Sequence, residues 1–244
     1  MLARRAGPSK PFVTLHLPEI LYEDNHCLAV AKLAGCLSTH FAGKEETLDR
    51  IVKAYLKKKY RKPGNVFLGI VHRLDRVVSG VLLFARTSKS AARLAEQFRK
   101  GTVGKVYWAV VEGEVQQSAG VLEAWLKKDP SIGRVDVVRP ETPGAKKASL
   151  QYQRRKSHTG LTWLEIRPRT GRTHQLRVQL ADLGHPIYGD AKYGSNQSFG
   201  NAIALHARSL VFLHPTRGDS VSLTASLPAS WRTNFEALFR EIQP

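Results

Sequence analysis

The sequence predicts an α+β fold, a mixed β-sheet core flanked by helices, and three observations predict it. Apolar runs of strand length outnumber helical patterns. The strands do not alternate regularly with helices, as a doubly wound parallel sheet requires. No internal repeat at solenoid periods and no low-complexity tract divides the chain. With 244 residues and 42% hydrophobic content, the chain has the material for a sizeable core. Intrinsic disorder and fibrous repeats are excluded on the same ground.

Taken in order, residues 1–17 read as a basic tail, because Arg4, Arg5 and Lys10 precede the first acidic residue, Glu19. A short organellar transit peptide has a similar composition. Residues 18–244 read as a single domain. CLAVA (27–31) is a short buried strand, and Leu48, Ile51, Val52, Tyr55 and Leu56 recur at helical spacing until Pro63 and Gly64 stop the pattern. VFLGIV (66–71) and VLLFA (81–85) each predict a strand buried on both faces, followed by a helix through Ala91, Leu94 and Phe98. VYWAVV (106–111) is β-branched and aromatic, hence another strand. Residues 127–147 are rich in Pro, Gly and charge, yet VDVV sits inside them, so they read as a long hairpin excursion and not a linker. A strand at LTWLEI (161–166) precedes a helix that places Leu176, Leu180 and Leu183 toward a core. Strands near 208–213 and 220–224 and a C-terminal helix carrying Trp231, Phe235 and Leu238 complete the order.

Charge narrows the function classes. Lys and Arg number 38 against 20 Asp and Glu, a formal net charge of +18. Such an excess on a globular domain makes phosphate polyanions the leading partners, since each neutralised phosphate releases counterions; the plain alternative is solubilising surface charge. An anionic membrane is a weaker partner, because no basic helix with a strongly apolar opposite face stands out. No run of about eighteen apolar residues exists, and the N-terminus lacks the apolar stretch of a secretory signal, so the expectation is a soluble, cytoplasmic protein. The 2 cysteines, Cys27 and Cys36, fit neither a CxxC motif nor a disulfide framework and read as small core residues.

Two segments carry chemistry. HRLDRVVSG (72–80) packs His72, Arg73, Asp75 and Arg76 into the junction between two apolar runs. A loop at the end of a rigid sheet holds functional side chains in fixed positions while leaving them accessible. In extended backbone Arg73 and Asp75 point the same way; the plain alternative is that Asp75 caps a turn with Ser79–Gly80. RPRTGRTHQLRVQL (167–180) holds arginines at 167, 169, 172 and 177, with Glu165 as the acid nearby. Thr170–Gly171 can turn, Thr173 can cap the following helix, and the helix start with Arg172 and His174 would make a phosphate-binding corner. Arginines on a solvated helix face are the plain alternative here.

These segments, with KVYWAVVEG (105–113), TGRTHQLRVQLADLGHPIYGDAKYG (170–194) and LHARSLVFLHP (205–215), resemble the RluA-type family of RNA pseudouridine synthases in order and separation, over roughly residues 20–227. The resemblance implies a largely antiparallel sheet and an isomerase that flips a uridine out of ribosomal or transfer RNA. It implies that Asp75 is the essential aspartate, Tyr107 the tyrosine against the uracil and Arg177 the basic partner of the aspartate. It likewise assigns Arg73 to the gap left by the flipped base and Leu176 to packing on the uracil. The chain departs from the family pattern at Val78, where threonine is usual, and at Lys32–Gly35, where a Lys-Pro-x-Gly is usual. Conversion of uridine to pseudouridine cuts N1–C1′ and joins C5 to C1′ without redox change, so no cofactor or metal is expected. A guanidinium beside a carboxylate favours its ionised form, and arginine cannot deprotonate in the role. Tyrosine offers a flat face for the base and a hydroxyl for proton movement at C5.

His72, His174, His185, His206 and His214 invite a metal reading, but neither HExxH nor Cys/His ligand spacing is present. HRLD also overlaps the kinase HRD loop, with neither the glycine-rich loop nor the DFG that a kinase needs. The alternative from another class is a catalytically silent RNA-binding protein on the same scaffold, which would not need both Asp75 and Arg177. A monomer acting alone is the expected form.

Overall fold

A computed structural model describes residues 17–39 and 46–240. Most of the expected basic tail, residues 1–16, lies outside them. Two strands open the described chain, β1 (Ile20–Glu23) and β2 (Cys27–Lys32), followed by α1 (Leu48–Lys59), β3 (Gly69–Ile70), β4 (Ser79–Ala85) and α2 (Ser88–Lys100). The middle is β5 (Gly104–Glu112), β6 (Ala119–Asp129), β7 (Arg134–Val138), β8 (Lys146–His158) and β9 (Leu161–Pro168). Then come α3 (Gln175–Asp182), a 3-10 turn at Ala191–Tyr193, β10 (Leu205–Leu213), β11 (Ser220–Thr224), α4 (Ala229–Asn234) and α5 (Glu236–Phe239).

The strands form an 11-stranded sheet in the order β1-β2-β4-β10-β5-β9-β8-β6-β7, with β11 on β10 and β3 on β4. Every pairing is antiparallel except β4 with β10. The mixed, largely antiparallel sheet is the expected α+β architecture. β4 is buried at every position because alternate residues meet different layers. Leu82 and Phe84 join a core with Leu48, Val52 and Leu56 of α1, whereas Val81 and Leu83 join one with Leu94 of α2. The parallel pair forces glycine at one position. Gly80 has φ +118°, and a Cβ there would lie 2.2 Å from the carbonyl oxygen of Ala207 on β10.

Four expectations need correction. VFLGIV forms only the two-residue β3, and Phe67 is 49% exposed. Along that edge of β4, β10 pairs with Ser79–Gly80 and the Leu83 N–H goes to His72 Nε2 at 2.9 Å, so β3 pairs with Phe84–Ala85 only. Leu183 stands outside α3 as its C-cap and faces solvent, because Gly184 at φ +90° ends the helix. The C-terminal helix is two short ones, since Phe235 leaves helical geometry at φ −130° while its ring packs among Tyr188, Phe199 and Trp231. Trp231, Phe235 and Leu238 are nevertheless all buried. Finally, Thr173 does not cap α3; the N-cap is His174, whose backbone is left-handed at φ 51°. No helix of the described residues is long and apolar enough to cross a membrane.

Candidate active site

The loop between β3 and β4 presents Asp75, whose side chain is 32% exposed. Polar backbone in such a loop must be satisfied where it enters the core, and the neighbouring segment does this. The buried ammonium of Lys32, at the end of β2, donates to the carbonyls of Asp75 at 3.2 Å, Arg76 at 3.2 Å, Val78 at 2.6 Å and Leu33 at 3.0 Å. Burial lowers the Lys32 pKa to about 8. Ser38 clasps Leu74 through both its backbone oxygen and its N–H, and Gly35 N–H donates to Arg76 O. The Asp75 loop is thus fixed from several sides. Asp75 O accepts from Val78 N–H, so the turn is made by backbone, and the side chain is left to point elsewhere.

It points at α3. Arg177, 102 residues away in sequence, places Nη1 3.2 Å from Asp75 Oδ2. Arg177 is itself buried, its side chain 7% exposed, and Asp190 grips it in a two-pronged pair, Nε–Oδ2 2.6 Å and Nη2–Oδ1 2.7 Å. Burial works against the guanidinium charge, and the Asp190 and Asp75 carboxylates more than restore it, so its pKa moves up. Bidentate pairing of this kind also fixes orientation, so that Nη1 is the corner left over for Asp75. His174 is close by, with Nε2 3.7 Å from Asp75 Oδ2 and Nδ1 2.8 Å from the Tyr193 hydroxyl.

Tyr107 lies on β5 in a row that crosses the sheet from Gly80 through Ala207 to Tyr107 and Ile166. This row ties the tyrosine to the strand that the Asp75 loop enters. Burial, and secondarily the Asp75 charge, raise the Tyr107 phenol pKa. Leu176 is buried in the main core together with Leu74, beside Arg177 on α3. Arg73 is exposed on the loop. The remaining arginines of the second segment disperse. Arg167 pairs with Glu165 at 2.8 Å, Arg172 donates its Nε to Lys147 O at 3.1 Å, and its N–H goes to the Gln175 side chain at 3.0 Å. Gln175 Oε1 thus braces the turn before α3, accepting from Arg172 N–H and the Thr170 hydroxyl, and of the arginines at 167, 172 and 177 it is Arg177 that reaches Asp75.

The arrangement of a fixed carboxylate, an immobilised guanidinium and a half-buried tyrosine has relatives. The RNA pseudouridylate synthase family profile matches residues 26–182. The chain belongs to this family. An uncharacterized RNA pseudouridine synthase, YhcT, of Bacillus subtilis is 33% identical over 219 residues, 88% of this chain and 70% of that protein. A protein named dual-specificity RNA pseudouridine synthase RluA, from Vibrio vulnificus, is 35% identical over 202 residues, 81% of this chain and 78% of the relative. Among solved structures, human RNA pseudouridylate synthase domain containing 4 superposes with a TM-score of 0.73 at 26% identity, covering 88% of this chain and 92% of the human one. The protein is an RNA pseudouridine synthase, an isomerase acting on RNA.

Sequence reasoning about this synthase missed Asp190, Tyr193 and Lys32 as parts of the site. Lys32 was legible as a charge ending an apolar strand, and Asp190 and Tyr193 lie in the quoted GDAKYG run, but nothing local says what they face. The histidines fall into separate surroundings. His206 accepts from Ser79 at 2.8 Å and donates to Ala225 O at 3.2 Å; His185 bonds Glu112 O at 2.8 Å. Asp24, Cys27 and His214 place ligand atoms within 4.8 Å of one another. That group is occupied by hydrogen bonds: Asp24 accepts from two backbone N–H groups, His26 and Cys27, both at 2.7 Å, and from Arg217 at 3.1 Å. His214 Nδ1 accepts the Arg217 N–H at 3.1 Å, so its proton sits on Nε2 toward Asp24.

Proposed function

We propose that this synthase isomerises uridines of ribosomal or transfer RNA with Asp75 as the essential carboxylate, Arg177 as its charged partner and Tyr107 against the target base. The observation that carries the reading is the Asp75–Arg177 contact at 3.2 Å with Arg177 clamped by Asp190. A silent RNA-binding scaffold has no use for a charge pair built so rigidly at an accessible loop. A relative named ribosomal large subunit pseudouridine synthase C supports the ribosomal class, and one named dual-specificity RNA pseudouridine synthase supports more than one kind of RNA target.

In this reading the base leaves its stack, at a cost of a few kcal/mol, and is received by the face of Tyr107, which offsets about 1–3 kcal/mol of it. Arg73, exposed beside Asp75, enters the vacated space, and Leu176 supports the uracil edge. The Asp75 carboxylate serves the step in which N1–C1′ breaks and C5–C1′ forms. The Tyr107 hydroxyl moves the proton that C5 must lose. Atoms and electrons balance without a cofactor, because the proton lost from C5 is matched by one gained at N1. Arg172 contributes phosphate contact from the surface of the same segment, and the exposed lysines at the end of α1, Lys57 and Lys58, extend it. We place the enzyme in the cytoplasm as a monomer, in keeping with relatives named for ribosomal RNA.

Release of tritium from RNA labelled at uridine C5 tests the proposal. Wild type is expected to release tritium from ribosomal or transfer RNA offered separately, and Asp75→Asn to release none while still binding RNA. Equal release by both proteins would remove Asp75 from the reaction.

A further inference from the structure

His174 has unusual backbone for a helix N-cap. It is left-handed at φ 51°, a conformation that costs a non-glycine residue about 1 kcal/mol or more, and its side chain does not cap α3. What the conformation achieves is aim. The imidazole turns inward, 15% exposed, with one nitrogen on Tyr193 and the other toward Asp75.

The proton positions follow from the surrounding donors. The backbone N–H of Val135, on β7, donates to the Tyr193 oxygen at 3.0 Å. The phenol's own hydrogen then needs an acceptor, and His174 Nδ1 lies 2.8 Å away. A neutral imidazole that accepts at Nδ1 carries its hydrogen on Nε2, the nitrogen 3.7 Å from Asp75 Oδ2. We propose that His174 is a positioning residue for Asp75, its tautomer set by Tyr193 so that Nε2–H faces the carboxylate and completes the cradle that Arg177 begins. The proposal rests on Asp75 being the essential carboxylate.

The surroundings agree with a neutral ring. Burial lowers the His174 pKa below the usual imidazole value, although Asp75 and Asp190 pull it upward, and Arg177 and Lys192 add to the lowering. A neutral donor orients the carboxylate without handing it a proton. The contact at 3.7 Å is longer than a hydrogen bond, and such contacts shorten when substrate closes the site. Tyr193 is itself held from outside α3: its ring packs with Leu126 and Val135 of the β6–β7 hairpin, and Lys192 donates to Gly133 O in that hairpin's turn at 2.7 Å. The excursion that the sequence shows as a hairpin therefore ends, through Tyr193 and His174, at the Asp75 carboxylate.

Two-bond proton–nitrogen spectra of uniformly 15N-labelled protein read the tautomer directly. The expected result is His174 as the Nε2–H form in wild type and a mixture of tautomers in Tyr193→Phe. An Nδ1–H form in wild type would overturn the proposal without any activity measurement. Single-turnover rates at saturating RNA, measured beside RNA affinity, provide the second readout, using Tyr193→Phe and His174→Asn. Asparagine tolerates the left-handed backbone and can still meet Tyr193, but it places nothing at the Nε2 position. Both variants are expected to slow turnover about ten-fold or more, as loss of a hydrogen bond to a charged group does, with RNA affinity unchanged. Weakened RNA affinity with an unchanged saturated rate would make His174 an RNA contact and overturn the proposal. Activity in Asp75→Asn would overturn the assignment of Asp75 instead, and the wild-type tautomer would still report the relay's geometry.

Discussion

At the residue scale the site is decided by how a single buried cation is held. Arg177 costs free energy to bury, and Asp190 makes the burial tolerable by taking two of its nitrogens in fixed geometry. Only then is Nη1 available to Asp75 in one orientation. Asp190→Asn keeps the shape and removes the charge, leaving Arg177 in the interior with a weakened partner. We expect this variant to lose about 3–5 kcal/mol of stability, read as a lower urea midpoint, and to lose tritium release as well. A variant with wild-type stability and full activity would show that Arg177 needs no second carboxylate. Arg177→Lys is no substitute here, because an ammonium cannot make the bidentate pair and reach Asp75 at once.

At the element scale the central event is the insertion of β10 between β4 and β5. It brings the end of the Asp75 loop and the Tyr107 strand to either side of one strand, and it does so through the parallel contact at Gly80. Gly80→Ala has both a forbidden φ and a clash with Ala207, so it is expected to destabilise by about 3 kcal/mol or to prevent folding. Thermal denaturation beside Gly64→Ala, where no atom lies within 4 Å of the new Cβ, checks this. His206 locks the same junction by accepting from Ser79 and donating to Ala225. Burial lowers its pKa to about 4. The unfolded chain, with histidine near its ordinary value, binds the proton first as pH falls, so this histidine's contribution is complete above about pH 6.5 and is lost between there and pH 4. The expected slope is about 1.4 kcal/mol per pH unit from His206 alone. Urea titrations at a series of pH values read it, and stability independent of pH across that window would contradict it.

For the whole molecule the governing quantity is the net charge of +18. Inside the described part several basic groups are already paired, Lys59 with Glu23 at 2.8 Å and Arg155 with Glu165 at 2.5 Å among them. The large excess over acidic residues still leaves many for phosphate. RNA affinity is therefore expected to fall by about 10³ between 50 and 200 mM salt if about six phosphates are neutralised. Filter binding across that range checks it, and a flat titration would make the charge a solubility feature only. Stability against urea should change far less over the same range, because the Arg177–Asp190 pair and the Lys32 knot are buried and poorly screened.

What the sequence by itself determined is the set of elements whose burial follows from local periodicity alone. β2, β4, β5, β9, α1 and α2 were legible because hydrophobic spacing reports which faces are buried, and Leu28 and Phe84 lie where that spacing puts them. The charged junction at 72–80 was legible for the opposite reason, since polarity between two apolar runs is a local anomaly. The resemblance already paired Arg177 with Asp75, and the tertiary structure supplies the 3.2 Å contact across 102 residues that makes the pair. Tertiary structure alone decided that Asp190 clamps Arg177, that Lys32 ties the loop, and that Tyr193 faces His174. These contacts depend on strand order, above all on the crossing of β10, and strand order is a property of pairing energies summed over the whole sheet. No window of sequence contains it, so the residues that do the chemistry could be named before folding, and those that aim them could not.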